Sequence, residues 1–311
     1  MYINKSLYLD RDYILGIAMY MVLIYHFFCW IYNPIGRLNI GYLGVDIFLF
    51  FSGYGLTYSF KKYTIITFYY RRIKRIIPLY SITSLLIIII TYPNKWNGLI
   101  DALEKMTTIS YYINPAVSID WYLNALFLFY LLYPVFYFLV KKVGVTIIIS
   151  FIICYLLIYY TNKDYGYTGI HWKHDCFLAR IPIFCCGILY ALNQYSIKQK
   201  YIKALIPITL LIPLYNISIF LSISTLTLIF ILLITHIHFP NIIKQHLNYI
   251  GRHTLEIYCS NIITHNIINE YLDYSIYTKA LGYFLLQILI SVILIKANIS
   301  IHFSKSIQTL K

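Results

Sequence analysis

The chain has 311 residues, of which 60% are hydrophobic and only 12% are charged. Soluble domains usually carry about a quarter charged residues, so this composition excludes an ordinary soluble globular protein. The formal net charge of +14 would suit a nucleic-acid partner. Because the basic residues lie between apolar blocks of membrane-spanning length, we interpret them as a topology signal and predict no nucleic-acid partner.

The apolar blocks predict an all-α fold: a polytopic transmembrane helical bundle of about ten spans, with residues 1–311 forming a single domain. Basic residues are about three times as frequent on one side of the predicted membrane as on the other, which places both termini in the cytoplasm. No small-residue cleavage site follows the first block, so we expect a retained helix and not a signal peptide. The predicted spans are residues 13–32, 40–59, 76–92, 119–140, 143–160, 176–194, 202–216, 220–238, 248–268 and 280–303.

The first span carries an ionisable residue, His26, among apolar neighbours. Ionisable side chains inside a membrane usually mark a functional site. Leu15 and His26 are eleven residues apart, so they share a helix face and are separated by about 16 Å along the axis. A neutral imidazole at this depth can take a proton from a hydroxyl as a general base. The alternative is a structural histidine that hydrogen-bonds a neighbouring helix.

The second and third spans add charged residues. Asp46 lies in the apolar segment "GYLGVDIFLFFSG" and needs an arginine, a histidine or backbone donors as its partner. The segment "FYYRRIKRIIPLY" places Arg72 and Arg75 one helical turn apart if the helix begins before Pro78. Two guanidinium groups so placed can bind a diphosphate bidentately. The alternative is a basic run that sets topology and contacts anionic lipid headgroups.

Later spans contain further polar residues. Trp121 and Asn124 lie in the predicted fourth span, Arg180 in the sixth and Glu256 in the ninth. Each can bridge two helices, but several such groups in one bundle predict a water-lined cavity.

We expect no metal site. His171 and His174 have the spacing of metal ligands, but they lie in a predicted loop and lack a clear third ligand. The six cysteines form no CxxC pair, so we interpret them as packing residues without a disulfide.

The order of these motifs resembles the acyltransferase-3 family of bacterial integral-membrane O-acyltransferases. The resemblance implies a ten-span bundle in the bacterial inner membrane. It also implies transfer of an acyl group, commonly acetyl, from cytoplasmic acyl-CoA to a hydroxyl of a cell-surface glycan or lipid-linked sugar. The segments that carry the resemblance are "RDYILGIAMYMVLIYH", "GYLGVDIFLFFSG", "FYYRRIKRIIPLY", "DWYLNALFLFYLLYP", "ARIPIFCCG" and "IGRHTLEIY".

The resemblance assigns roles to several residues. The family's first-span histidine corresponds to His26, and its donor-binding RxxR motif corresponds to Arg72 and Arg75. Together with the analysis of the spans, this predicts an acetyl-CoA donor and membrane lipid as partners. The predicted site residues are His26 and Asp46 as catalytic residues, Arg72 and Arg75 as donor-binding residues, and Arg180, Trp121, Asn124 and Glu256 on the acceptor path.

The sequence departs from the family pattern at three positions. Leu15 stands where the family has a basic residue, Leu126 where many members have a glutamate, and Asn261 where relatives often have a histidine. Arg11, one helical turn before Leu15, is a candidate substitute for the missing charge. The absent charge also motivates an alternative function, that of a non-catalytic transporter or scaffold in surface-polysaccharide export. A donor with a succinyl or longer acyl group is a further alternative.

Overall fold

The computed structural model describes residues 4–31, 40–91, 100, 103, 120–161, 177–193, 219–235, 237, 239–271 and 276–308. Within these ranges every regular element is an α-helix and no strand occurs, as the composition predicted. The predicted seventh span, 202–216, lies outside the described residues. The helices are α1 Asn4–Ile31, α2 Ile40–Lys62, α3 Ile65–Thr91, α4 Trp121–Leu131, α5 Tyr133–Val143, α6 Val145–Thr161, α7 Phe177–Asn193, α8 Ile219–Ile234, α9 Asn241–Arg252, α10 Thr254–Tyr271 and α11 Ile276–Gln308.

Several of these helices have the length and composition of membrane spans. In the part of the chain that the structure describes, three qualify: Ile40–Lys62, Ile65–Ile90 and Tyr277–Ala297. A fourth is added if the bent pair α4 and α5 is counted as one broken span. These helices fit a membrane protein, whereas the number of ten spans and the orientation of the termini stay predictions.

The predicted fourth span, 119–140, is wrong as a continuous helix. The chain breaks at Leu132, and α4 and α5 are inclined at 63° to each other. Pro134 stands in the first turn of α5. In an uninterrupted helix its ring would collide with the carbonyl group of Tyr130, four residues earlier, so the chain restarts here.

Two other predicted boundaries also change. The third helix begins at Ile65 and not at residue 76, so Arg72 and Arg75 both lie well inside α3. The predicted ninth span, 248–268, is interrupted, because α9 ends at Arg252 and α10 begins at Thr254. His253 has φ −108° and ψ 23°, which is not a helical conformation.

Glycines allow two helix pairs to pack backbone against backbone. In the contact of α1 with α9, a Cβ on Gly16 would overlap the Leu247 carbonyl oxygen, and a Cβ on Gly251 would overlap that of Asp12. Small residues at such crossings are the usual means of close packing between membrane helices. The contact brings the end of α9 against the beginning of α1.

The second close contact joins α2 to α7. A Cβ on Gly53 would overlap the Phe184 carbonyl oxygen, and a Cβ on Gly187 would overlap that of Phe50. Helix α2 is buried along most of its length. It therefore forms the centre of the bundle, with α7 on one side and α1 on the other.

Candidate functional site

A cavity of about 470 Å³ lies among α1, α2, α3, α4 and α10. At one end Arg72 donates from Nη2 to Ser59 Oγ at 2.6 Å, near the C-terminus of α2. At the other end the ring of Tyr122 lies 6.2 Å from that of Phe48 and 5.0 Å from that of Tyr258. The cavity thus extends from a basic end to an aromatic end.

Three arginines line the basic end. Arg72 and Arg75, one turn apart on α3, were predicted to act together, and both contribute to the cavity wall. Arg11 of α1 is the third. Guanidinium groups that converge on one cavity can bind phosphate oxygens through paired hydrogen bonds.

A carboxylate orients Arg11. Arg11 Nη1 lies 2.9 Å from Asp12 Oδ1, and Arg252 Nε lies 3.4 Å from Asp12 Oδ2. Burial lowers the pKa of the Arg11 guanidinium, and the Asp12 carboxylate opposes that shift. Because the glycine contact of α1 with α9 brings Arg252 to this point, Asp12 is shared by two cations.

The two apolar positions at which this sequence departs from the family pattern also line the cavity. They are Leu15 on α1 and Leu126 on α4. The cavity wall therefore has an apolar side chain where the resemblance would place a basic one, and Arg11 lies one turn away on the same helix and in the same cavity.

His26 lies beyond the cavity lining, in the last third of α1. The imidazole is half-buried, and its Nδ1 lies 2.8 Å from Nδ2 of Asn261 on α10. Tyr283 of α11 donates to Asn261 Oδ1 at 2.5 Å. The ring of His265 lies 6.2 Å from that of His26. Three helices thus meet at the histidine.

Helix α10 connects His26 to the cavity. Tyr258 lines the aromatic end of the cavity, and Asn261, three residues later, contacts His26. Three residues of α-helix correspond to a rise of about 4.5 Å. The aromatic end therefore lies within about one helical turn of the residue that holds the imidazole.

Asp46 and Arg180 form an ion pair outside the cavity lining. Arg180 Nη1 lies 2.7 Å from Asp46 Oδ1, and both side chains are 0% exposed. The guanidinium also lies over the rings of Tyr42, at 5.1 Å, and Trp121, at 5.8 Å. Arg180 is thus the partner that the buried carboxylate needs, and the pair joins α2 to α7.

Asn124 belongs to a network at the start of α4. It accepts a hydrogen bond from Tyr80 OH at 3.1 Å, and its amide nitrogen donates to the Asp120 carbonyl oxygen. The Asp120 carboxylate caps α4 by accepting from the Leu123 amide at 2.6 Å, and it also accepts from Tyr258 OH at 2.8 Å. This network fixes Tyr258 at the aromatic end of the cavity.

The remaining candidates are less close to the cavity. Glu256 is buried, and its carboxylate lies 4.0 Å from His253 Nδ1 at the junction of α9 and α10. It does not line the cavity. Among the described residues no cluster of three or more His, Cys, Asp or Glu side chains could hold a metal ion. His171 and His174 lie outside those residues.

Sequence reasoning missed several residues of the site. Tyr283 lies in none of the segments that carry the resemblance, and Asp120 and Tyr258 lie in two of them but were not predicted as site residues, since their importance comes from contacts between helices. The sequence predicts Arg252 only as one of the basic residues on the cytoplasmic side, because its contact with Asp12 comes from the packing of α9 on α1.

Comparisons with known proteins agree with one another. A family model described as an acyltransferase domain matches residues 10–296. A curated relative, acyltransferase MdmB of Streptomyces mycarofaciens, is 30% identical over 124 residues, which cover 34% of this chain and 31% of the relative. The match thus spans about a third of that relative's length. No solved structure matches the chain.

Proposed function

The chain belongs to the acyltransferase-3 family, and from this premise we propose that it is a membrane-embedded O-acetyltransferase. It moves an acetyl group from cytoplasmic acetyl-CoA to a hydroxyl of a cell-surface glycan or lipid-linked sugar, and it resides in a bacterial inner membrane with both termini in the cytoplasm. The observation that carries the proposal is the cavity, which has three arginines at one end. Its other end lies about one helical turn from Asn261, the residue that contacts His26.

The donor binds at the basic end of the cavity. Its diphosphate and ribose phosphate are multiply charged, and Arg72, Arg75 and Arg11 offer guanidinium donors from two helices. Arg11 supplies the positive charge that Leu15 does not. The pantetheine arm then extends along the apolar wall toward Tyr122 and Tyr258, which brings the thioester toward His26.

The transfer step uses His26 as a general base. The imidazole takes the proton of the acceptor hydroxyl while the hydroxyl oxygen attacks the thioester carbonyl carbon. The tetrahedral intermediate collapses with cleavage of the C–S bond, and the CoA thiolate takes the proton from the imidazolium. The Asp46–Arg180 pair, with Tyr42 and Trp121 on its guanidinium, shapes the acceptor side of the site. Asn124 and Glu256 complete the path as supporting residues.

The test measures binding and turnover of labelled acetyl-CoA by the purified protein. We expect Arg72→Ala/Arg75→Ala to abolish binding. We expect His26→Ala to retain binding and to lower turnover by about 10²- to 10⁴-fold, the usual contribution of a general base. Arg71→Ala is the matched control, because Arg71 lies in the same basic run but does not line the cavity. If His26→Ala turned over at the wild-type rate, the mechanism would be wrong.

Leu15 favours a second candidate, a non-catalytic transporter or scaffold in surface-polysaccharide export. It occupies the cavity wall where the family resemblance places a basic residue. A scaffold need not bind acetyl-CoA. Absence of binding to the folded wild-type protein would therefore favour this second function over the first. A competition series of acetyl-, succinyl- and longer acyl-CoA thioesters separates an acetyltransferase from an enzyme with another donor.

A further inference from the structure

We infer that Asn261 and Tyr283 are positioning residues that select the tautomer of His26. They do so because the Asn261 carboxamide fits its site in either of two orientations. The inference rests on the proposed function. It concerns the atom on which the imidazole carries its proton, which decides whether the ring can act as a base at all.

The contacts define one orientation directly. Asn261 Nδ2 lies 2.8 Å from His26 Nδ1, and Tyr283 OH donates to Asn261 Oδ1 at 2.5 Å. With the amide nitrogen facing the ring, Nδ1 of a neutral imidazole must accept, so the proton sits on Nε2. In that tautomer Nε2 is a donor and cannot take a proton from a hydroxyl.

The opposite orientation exchanges the two amide atoms by a half-turn of the side chain. Asn261 Oδ1 then accepts a hydrogen bond from His26 Nδ1–H, and Asn261 Nδ2 donates to the Tyr283 hydroxyl oxygen. The Tyr283 proton turns to the Leu23 carbonyl oxygen, which lies 3.4 Å from that hydroxyl. This arrangement frees the lone pair of Nε2, so it is the one in which His26 is a base.

Tyr283 makes both orientations possible. A hydroxyl can donate to Asn261 Oδ1 or accept from Asn261 Nδ2, whereas an amide or a carboxylate could serve only one of these roles at a given atom. Asn261 is 2% exposed and Tyr283 is 3% exposed. Because the pair is buried, its protein partners govern the orientation, and an unmade hydrogen bond there is unfavourable.

Other groups also surround the imidazole. The Val22 carbonyl oxygen, one turn earlier in α1, also lies near the ring. The rings of Tyr25 and His265 lie 5.5 Å and 6.2 Å from it. An acceptor for Nδ1–H becomes essential once Nε2 takes the hydroxyl proton, since both nitrogens of an imidazolium are donors. Asn261 Oδ1 is that acceptor in the base-competent orientation.

Two substitutions of Asn261 separate positioning from packing. Asn261→Leu keeps the branching at Cγ and removes the acceptor, so we expect turnover to fall at least about tenfold with acetyl-CoA affinity unchanged. Asn261→Asp supplies an acceptor in any orientation, so we expect turnover to be largely retained. The carboxylate also favours the imidazolium, which moves the acidic limb of the pH–rate profile to higher pH. Asn266→Leu is the control, because the Asn266 amide donates to the Ile262 carbonyl oxygen, one turn earlier in the same helix.

A spectroscopic measurement tests the tautomer itself. In ¹⁵N-histidine-labelled protein, with the His26 signals assigned by their loss in His26→Gln, we expect both neutral tautomers in the wild type. In Asn261→Asp we expect two forms of His26, the neutral tautomer protonated on Nδ1 and the imidazolium, and we expect no neutral tautomer protonated on Nε2. We expect Tyr283→Phe to shift the wild-type ratio, because it removes the hydroxyl that serves both orientations.

The assay is CoA release from acetyl-CoA by the purified full-length chain, measured beside acetyl-CoA binding. If the wild type were active and Asn261→Leu released CoA at the same rate, the inference would be overturned and the proposed function would stay intact. Unchanged His26 ¹⁵N signals in Asn261→Asp would overturn it as well. If the folded wild type neither bound nor cleaved acetyl-CoA, the proposed function would fail and this inference with it.

Discussion

The carboxylate of Asp46 and the guanidinium of Arg180 lie 2.7 Å apart, and both side chains are completely buried. The pair links α2 to α7 about 10 Å along the helices from Gly53 and Gly187, which bring the two backbones together. A charge buried here without its partner would be strongly unfavourable, since burial removes the hydration of both ions. Each ion is therefore stabilised by the other where these two helices pack.

Substitution of one member of this pair should destabilise the protein more than substitution of both. We expect Asp46→Ala or Arg180→Ala to lower the free energy of unfolding by about 3–5 kcal/mol, because each removes the opposite charge from a buried ion. The double substitution Asp46→Leu/Arg180→Met should recover part of this loss. Thermal unfolding in detergent measures it. Equal stability of the single and double variants would contradict the interpretation.

Arg11 should behave as a donor-binding residue. We expect Arg11→Ala to weaken acetyl-CoA binding about 10- to 100-fold, which corresponds to the loss of a hydrogen bond to a charged group. Leu15→Arg in the Arg11→Ala background should restore binding, because both side chains line the same cavity one turn apart. Titration of the labelled donor measures both effects.

The control for this prediction is Arg252→Ala. Arg252 contacts Asp12 but does not line the cavity, so its loss should change donor affinity much less than the loss of Arg11. If the folded variant Arg11→Ala/Leu15→Arg did not recover acetyl-CoA affinity, the positive charge would be required at position 11 itself.

Gly251→Ala should separate α9 from α1. The added Cβ would overlap the Asp12 carbonyl oxygen, and backbone cannot move aside as a flexible side chain can. We expect a lower unfolding temperature and weaker acetyl-CoA binding, since Asp12 orients Arg11. Gly55→Ala is the matched control for stability, because no atom lies within 4 Å of the corresponding Cβ. Where the added Cβ meets no other atom, this change in a helix stabilises by up to about 1 kcal/mol.

The sequence was sufficient for relationships within one helix and insufficient for those between helices. The spacing of Arg72 and Arg75 predicted a pair of cations one turn apart because helical geometry fixes that relation. The partner of His26 could not be found in this way, because Asn261 is 235 residues away and reaches it through the packing of α10 on α1.

The helix interruptions were missed for a different reason. Hydropathy reports how long an apolar block is, but it does not show whether the helix bends or breaks within that block. Pro134 was visible in the sequence, and its effect on α4 and α5 follows from proline geometry. The interruption at His253 has no comparable residue to signal it, and nothing in the described structure explains it.

Tyr258 and Asn261 lie on a single turn of α10, which fixes the distance between their backbones. Their separation is set by main-chain hydrogen bonds, so side-chain motion cannot lengthen it. The Asp120 carboxylate holds one end of this turn through Tyr258, and Tyr283 holds the other through Asn261. In the proposed function the thioester lies between the Tyr258 ring and the His26 imidazole, so an acyl chain longer than acetyl would need additional room at this turn. We therefore expect the rate of transfer to fall steeply as the acyl chain grows, while the affinity for the CoA portion stays constant.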